Sequence, residues 1–289
     1  MSYIRNIKYL AGLLLVVGLI ASFLFGKDAI QVKDLVELES TETDSIMTAD
    51  IPWPDSTLMM PKDSMRTDTF SYLGTPYQYF ILDTRKHQVD FLLHDSNGIN
   101  IAYLDSAIAK LEQIQIDPLF ATNAGIFMPN LMPEGLFINQ GEELQELNAK
   151  SGQGNFYLKP NGVFYIQYDG TVGAKETQDF ADEVFEVDYA TQSGPLLLNQ
   201  GMIHPKFNQG SPNLRTRSGV GIISHYEAIF LLSQTPVNFY DFAITFKERF
   251  GCQDALYLDG VISEFYLRSS PDQNNDQRFS GIIVVSKRP

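Results

Sequence analysis

The sequence is divided into many short runs that are rich in β-branched and aromatic residues, and Gly, Pro or Asn separates most of them. Examples are YQYFILDT at 77–84 and HQVDFLLH at 87–94. Runs of this length and composition predict β-strands, and the separating residues predict turns. Apolar residues recur at helical spacing in 103–116 and 237–251. We therefore predict an α+β fold, with a mixed, largely antiparallel β-sheet core and a few packed helices.

Three local features add detail to this fold. Asn238 is the expected N-cap of the second helix, and Gly251 is its expected C-terminal stop. The stretch NFYLKPNGVFYIQYDG at 155–170 predicts a hairpin that turns at PNG. These assignments leave one continuous domain over residues 69–289.

The N-terminus contains a long uncharged run that precedes this domain. No charged residue occurs from Tyr9 to Gly26, whereas Arg5 and Lys8 come just before the run. A helix of about 18 residues spans roughly 27 Å, close to the thickness of a bilayer core. Basic residues before such a run place the N-terminus in the cytoplasm. We predict a cytoplasmic tip and transmembrane signal anchor at 1–26; a cleaved signal peptide is the alternative.

An acidic, proline-containing segment at 27–68 follows the run and predicts a flexible stalk. Together these features predict a single-pass protein of the cell membrane, with its domain on the extracytoplasmic side. The net charge of −14 argues against nucleic acid as a partner. Cys252 is the only cysteine, so an internal disulfide and a cysteine metal site are both excluded.

Four segments share one pattern, in which an apolar strand is joined to polar residues beside Gly or Pro. They are ATNAGIF at 121–127, TQSGPLLL at 191–198, RTRSGVG at 215–221 and YLDGVISEF at 257–265. A single case would be an ordinary turn. Four cases predict strand ends that gather at one mouth, where glycine lets the backbone approach a ligand and polar side chains point at it.

Together these segments resemble the phosphodiester glycosidase domain family. The family pattern has an N-A/G-G-[FM]-F strand end, a Q-S-G-P strand, an R-[TN]-A/G-V-G segment and an L-D-G-x-x-S turn. This chain has these motifs in the same order over roughly 70–287. It departs from the pattern at Ile126, where Phe or Met is usual, at Ser218, where Thr or Asn is usual, and at Val261 and Ile262, where the lysosomal branch of the family has two glycines.

The resemblance implies a membrane-anchored hydrolase that cleaves a glycosyl phosphodiester in an envelope or extracellular glycan. Such a site needs a cation for phosphate, polar groups for sugar hydroxyls and a carboxyl group for proton transfer or transition-state charge. The implied catalytic residues are Asp259, Glu134 and Asn123. The implied substrate-binding residues are Arg217, Gln192, Ser193, Gly125, Gly194, Gly260 and Ser263.

Several alternatives stay open at this point. Asp259 and Gly260 could form only a turn, Arg217 could be a surface charge, Asn123 could bond to its own backbone, and Glu134 could be a solvated loop residue. The main functional alternative is a non-catalytic envelope protein that binds a glycan or sugar phosphate. No cofactor is certain, and a divalent cation such as calcium is left open because Asp259 could contribute to its binding.

The predicted topology can be tested directly on cells. Protease added to spheroplasts is expected to remove the domain, because the basic residues before the apolar run place everything after it outside the membrane. The measurement is the loss of full-length chain on an immunoblot, with a cytoplasmic protein as the control. Protection of the domain, or a mature N-terminus after Gly26, would contradict the predicted anchor.

Overall fold

The computed structural model describes residues 67–183, 186–260, 262–270 and 276–288. The predicted anchor at 1–26 and nearly all of the predicted stalk lie outside the described residues. Within the described part of the chain, no helix is both long enough and apolar enough to cross a membrane. The domain boundaries proposed from the sequence remain predictions.

Strands make up most of the regular structure. They are β1 (Thr67–Tyr72), β2 (Thr75–Asp83), β3 (His87–Leu92), β4 (Pro118–Asn123), β5 (Phe137–Asn139), β6 (Glu142–Gln145), β7 (Gly162–Gln167), β8 (Val172–Glu176), β9 (Val187–Ser193), β10 (Leu196–Asn199), β11 (Met202–Ile203), β12 (Ser218–Ser224), β13 (Glu227–Ser233), β14 (Ala255–Asp259), β15 (Phe265–Leu267) and β16 (Ile282–Lys287). The helices are α1 (Leu104–Gln113), α2 (Thr177–Asp182) and α3 (Phe239–Ile244), and α3 continues into a π-helical turn at Thr245–Arg249.

The strands form three sheets. A seven-stranded sheet has the order β1-β2-β13-β12-β14-β10-β11, a four-stranded sheet has the order β15-β4-β16-β3, and a five-stranded sheet has the order β6-β5-β9-β7-β8. Every strand pairing among the described residues is antiparallel. The predicted largely antiparallel core with few helices is therefore confirmed, whereas the parallel pairs expected of a mixed sheet do not occur in the described part.

One aromatic cluster connects the three sheets. Phe120 of β4 stacks on Phe80 of β2 with ring centroids 4.5 Å apart. Phe230 of β13 contacts both Phe120, at 5.3 Å, and Phe164 of β7, at 5.8 Å. These rings are almost completely buried. Burial of each large aromatic side chain contributes about 1.5–3 kcal/mol, so the cluster holds the ends of strands from different sheets in fixed relative positions.

The two predicted helices form, with different lengths. In α1 the buried residues are Leu104, Ala107, Ile108 and Leu111, as the helical spacing predicts, but the helix ends at Gln113. In α3 the Asn238 carbonyl oxygen Oδ1 accepts a hydrogen bond from the Asp241 amide at 2.8 Å, which confirms the predicted cap.

The hairpin predicted at 155–170 is wrong. Residues 155–161 form an irregular loop, and β7 pairs with β8 and β9 instead. The side chain of Asn161 holds this loop, because its Nδ2 donates to the Phe156 carbonyl at 2.9 Å and its Oδ1 accepts from the Thr177 hydroxyl at 2.9 Å. An asparagine that bonds to the backbone in this way competes with the strand ladder.

Candidate active site

The four segments singled out in the sequence meet in the structure. The Ser193 hydroxyl accepts a hydrogen bond from the Ile126 amide at 3.2 Å and donates one to the Leu258 carbonyl at 2.9 Å. Ser218 pairs with Asp259 across β12 and β14, and its Oγ lies 2.8 Å from the Oγ of Ser263. The predicted gathering of these strand ends is therefore confirmed.

A cleft of about 370 Å³ opens beside this junction. Its lining residues are Asn155, Asn213, Arg215, Arg217, Tyr257, Asp259, Gly260 and Ile262. Arg217, Asp259 and Gly260 were predicted from the sequence as site residues. The cleft thus combines cationic, carboxyl and amide side chains.

Arg217 is a buried cation on the cleft wall. Its side chain is 1% exposed, yet no carboxylate lies within ion-pair distance of it in the described part of the chain. Its Nε donates to the Val237 carbonyl at 2.8 Å, and its Nη2 donates to the Asn213 carbonyl at 3.0 Å. Burial lowers the pKa of this guanidinium, because a charge loses its hydration inside a protein. An anionic ligand would supply the missing counter-charge.

An aromatic stack fixes the plane of this guanidinium. The central carbon of Arg217 lies 3.5 Å from the ring centroid of Phe239, which is a cation–π distance. Phe207 stacks on Phe239 at 4.8 Å, and His204 stacks on Phe207 at 4.6 Å. His204 is thus buried in the stack, and it is not among the residues that line the cleft.

Asp259 ends β14 on the same cleft. Its Oδ1 accepts a hydrogen bond from the Gly260 amide at 2.6 Å. Burial raises its pKa to about 6, and that hydrogen bond opposes the rise. A carboxyl group with such a pKa changes its protonation state close to neutral pH, which is the property that acid–base chemistry requires.

Sequence reasoning missed several residues of this cleft, among them Tyr257 and Asn155. Tyr257 lies two residues before Asp259 in β14, and the period of two along a strand puts both side chains on one face. That spacing was a signal in the sequence. Asn155 gave no such signal, because it lies in the irregular loop that was predicted to be a hairpin strand.

Gln192 lies beside the junction, with its side chain bonded to protein on every side. Its Oε1 accepts from the amides of Leu136 and Asn148, at 3.0 and 2.8 Å. Its Nε2 donates to the Asn148 carbonyl at 2.9 Å and to the Thr177 hydroxyl at 3.1 Å. The side chain is 1% exposed. Gln192 therefore braces the chain around the cleft, and contact with a substrate would require some of these bonds to break.

Asn123 and Gly125 explain why the ATNAGIF strand ends as it does. The Asn123 Nδ2 donates to the Ala124 carbonyl at 3.0 Å, and its Oδ1 accepts from the Glu264 amide at 3.4 Å. A Cβ on Gly125 would lie 2.2 Å from the Gln192 carbonyl oxygen. In this structure the amide joins two loops, and the glycine lets two strands approach each other closely.

The remaining predicted glycines also accommodate close neighbours. A Cβ on Gly194 would lie 2.6 Å from the Phe156 carbonyl oxygen, and a Cβ on Gly260 would lie 2.5 Å from the Tyr257 hydroxyl. Each close contact would force the neighbour to move. Gly260 thus shapes the wall of the cleft through packing, whereas Gly194 is not among the residues that line it.

Glu134 lies outside the set of residues that line the cleft. The Tyr157 hydroxyl donates a hydrogen bond to its carboxylate, and the Asn148 Nδ2 donates to its backbone carbonyl at 2.7 Å. Its predicted catalytic role stays a prediction. The same holds for calcium: the described residues contain no group of three or more His, Cys, Asp or Glu side chains that could hold a metal ion.

Comparisons of sequence and fold relate this chain to known proteins. Residues 117–286, more than half of the chain, match the family described as phosphodiester glycosidase. The uncharacterized protein YigE of Escherichia coli (strain K12) is 36% identical over 214 residues, which are 73% of this chain and 82% of YigE. The catalytic domain of zebrafish N-acetylglucosamine-1-phosphodiester alpha-N-acetylglucosaminidase, auto-inhibited by its pro-peptide, has a similar fold. The TM-score is 0.54 at 16% identity, and the match covers 77% of this chain and 82% of the zebrafish domain.

The bracing role of Gln192 leads to a stability prediction. Gln192→Ala is expected to lower the free energy of unfolding by about 2–4 kcal/mol, because it leaves the buried Leu136 amide and the partly buried Asn148 amide without this acceptor. Urea denaturation followed by circular dichroism measures the change. Gln234→Ala, at an exposed glutamine that bonds to Gln78, is the matched control. Equal stability of the two variants would contradict the bracing role.

Proposed function

The chain belongs to the phosphodiester glycosidase family, and from this premise we propose that it is a hydrolase that cleaves a glycosyl phosphodiester in an envelope or extracellular glycan. The observation that carries the proposal is the buried Arg217 guanidinium, which faces the same cleft as Asp259 and has no carboxylate partner in the described part of the chain. A phosphodiester brings one negative charge next to an anomeric carbon. The cleft offers Arg217 as a counter-ion for the negative charge and the Asp259 carboxyl group for the chemistry at the anomeric carbon.

The proposed reaction breaks the bond between the anomeric carbon and the bridging oxygen. Water supplies a hydroxyl group to the carbon, and a phosphate monoester leaves with the bridging oxygen. The second ionisation of a phosphate monoester has a pKa of about 6, so this leaving group needs little protonation. The more demanding task is therefore to stabilise the positive charge that develops at the carbon.

Asp259 suits that task in its ionised form. As a carboxylate it either stabilises the developing positive charge or accepts the proton of the attacking water. Arg217 holds the phosphate, since a guanidinium binds phosphate oxygens in a bidentate manner. Both roles require the carboxylate and the guanidinium to stay apart, and no ion pair joins Arg217 to Asp259 among the described residues.

The setting of this reaction is also part of the proposal. The uncharged run at Tyr9–Gly26 after Arg5 and Lys8 supports a single-pass membrane protein with an extracytoplasmic domain, whose substrate would be a sugar phosphate in a glycan or glycolipid. The alternative is an envelope protein that binds such a glycan without turnover. Release of free sugar from a synthetic glycosyl phosphodiester by the purified chain separates the two.

Arg217→Lys tests the phosphate role. The variant keeps the positive charge but loses the bidentate geometry, so kcat/KM is expected to fall about 10–100-fold. Release of free sugar is measured against wild type and against Arg85→Lys, which changes an exposed arginine paired with Asp83. A folded Arg217→Lys variant with wild-type kcat/KM would remove this guanidinium from the site.

Asp259 makes the reaction pH-dependent. Because the ionised form is the active one, wild-type kcat/KM should rise as the pH increases through about 6. Above pH 6 Asp259→Asn should lose at least about 100-fold in kcat/KM, since it removes the charge but preserves the shape. Asp254→Asn is the matched control, because burial also raises the pKa of that carboxyl group and it lies outside the cleft. Activity that falls with pH through this range would refute the ionised role.

The same residue should have an opposite effect on stability. The pKa of Asp259 is higher in the folded protein, about 6, than the roughly 3.9 of an unfolded chain. Wild type therefore loses stability as the pH rises through this interval, whereas Asp259→Asn does not. The melting temperature of the variant minus that of wild type should therefore increase from pH 4 to pH 7. A constant difference over that range would contradict the raised pKa.

A further inference from the structure

Tyr257 is a buried tyrosine whose hydroxyl group reaches the candidate cleft. It lines the cleft together with Arg217 and Asp259, and its side chain is 2% exposed. Nothing in the four sequence segments assigns it a role beyond a strand position. Because Tyr257 shares the cleft with the Arg217 cation and the Asp259 carboxyl group, its hydroxyl group is a candidate for contact with a ligand.

The Tyr257 hydroxyl group lies at the wall of the cleft. Tyr257 lines the cleft together with Arg217, Asp259 and Gly260. The hydroxyl oxygen is the atom that lies next to Gly260. A tyrosine hydroxyl can donate one hydrogen bond, so at this position it can donate to an anion that binds in the cleft.

Packing around the ring fixes the position of this hydroxyl group. Phe239 packs edge-on against the Tyr257 ring, with centroids 4.9 Å apart and an interplanar angle of 75°. The central carbon of Arg217 lies 5.7 Å from the centre of the same ring. Gly260 leaves the space that the hydroxyl group occupies, since a Cβ there would lie 2.5 Å from it. The Phe239 ring therefore contacts both the Arg217 guanidinium, through its face, and the Tyr257 ring.

We propose that Tyr257 is a further catalytic residue, whose hydroxyl group donates a hydrogen bond to a phosphate oxygen of the substrate beside Arg217. This inference rests on the proposed function, because it assigns a second contact to the same phosphate. A neutral donor binds an anion without adding another positive charge next to Arg217 and Arg215. The ligand class is a phosphate monoester or phosphodiester anion.

The environment keeps Tyr257 protonated and therefore able to donate. Burial is the main cause that raises its pKa, and the charge of Asp259 adds to the rise, while Arg217 opposes it. A tyrosine in this state is a poor nucleophile and a good hydrogen-bond donor. Binding of a phosphate oxygen would also orient the anomeric carbon relative to Asp259, which is the positioning that hydrolysis requires.

Tyr257→Phe tests this role with inorganic phosphate as the probe. Calorimetric affinity for phosphate is expected to fall at least about 10-fold, the loss typical of one hydrogen bond to a charged group. Inhibition of sugar release by phosphate should weaken by the same factor. Tyr165→Phe is the matched control, because it removes another buried tyrosine hydroxyl with a raised pKa, outside the candidate cleft. Wild-type phosphate affinity in Tyr257→Phe would overturn the proposal.

A double variant separates direct contact from an effect through Arg217. If Tyr257 binds phosphate itself, Arg217→Lys with Tyr257→Phe should bind phosphate more weakly than either single variant. If Tyr257 only holds Arg217, the double variant should match Arg217→Lys, and the proposal would be wrong. Phosphate binding that depends on Tyr257 without any sugar release would refute hydrolysis but uphold this contact. Wild type that neither binds phosphate nor releases sugar would refute both.

Discussion

The hydroxyl group of Ser193 is the contact on which the candidate site depends. It joins the end of β4, through the Ile126 amide, to the end of β14, through the Leu258 carbonyl, and it lies on β9 itself. Strands from three different sheets therefore meet at one side chain. The absence of a Cβ at Gly125 allows the approach, since the Gln192 carbonyl occupies that space. This junction fixes the end of β14 relative to β4 and β9, while the pairing of Asp259 with Ser218 fixes it relative to β12.

Neutral groups around Arg217 make a buried cation tolerable. Removing a guanidinium from water costs several kcal/mol unless other groups replace its hydration. Here two backbone carbonyls and the face of Phe239 do so in part. These neutral groups compensate the charge of the guanidinium incompletely. The site around Arg217 therefore favours an anion before any ligand binds. A carboxylate partner would have been more stabilising locally, but it would have competed with the ligand. The stack through Phe207 to His204 then holds the guanidinium in one plane before any ligand arrives.

The sequence predicted the fold class and the meeting of four segments because those features follow from local patterns. Strand composition, turn residues and the cap at Asn238 are all encoded within a few residues. The role of each single side chain in the site was harder to predict from the sequence. Gln192 and Asn123 look like ligand-binding amides in sequence, yet their amide groups bond to backbone from distant segments. Tyr257 could have been found from its spacing to Asp259. Asn155 could not, because tertiary contacts of Asn161 replaced the predicted hairpin with a loop.

The whole chain is negatively charged, whereas the cleft contains the cations Arg215 and Arg217. This difference affects the rate at which an anionic substrate associates. A net charge of −14 repels an anionic substrate at long range. This repulsion is screened beyond about 8–10 Å at physiological ionic strength. Arg217 is buried on the cleft wall and acts on a bound anion at contact distance, where screening by salt is weak. Affinity should therefore come from contacts made after arrival, and added salt should speed association rather than slow it. That dependence is the reverse of what a basic, electrostatically steered binding surface gives, and it suits a site that selects its anion by geometry.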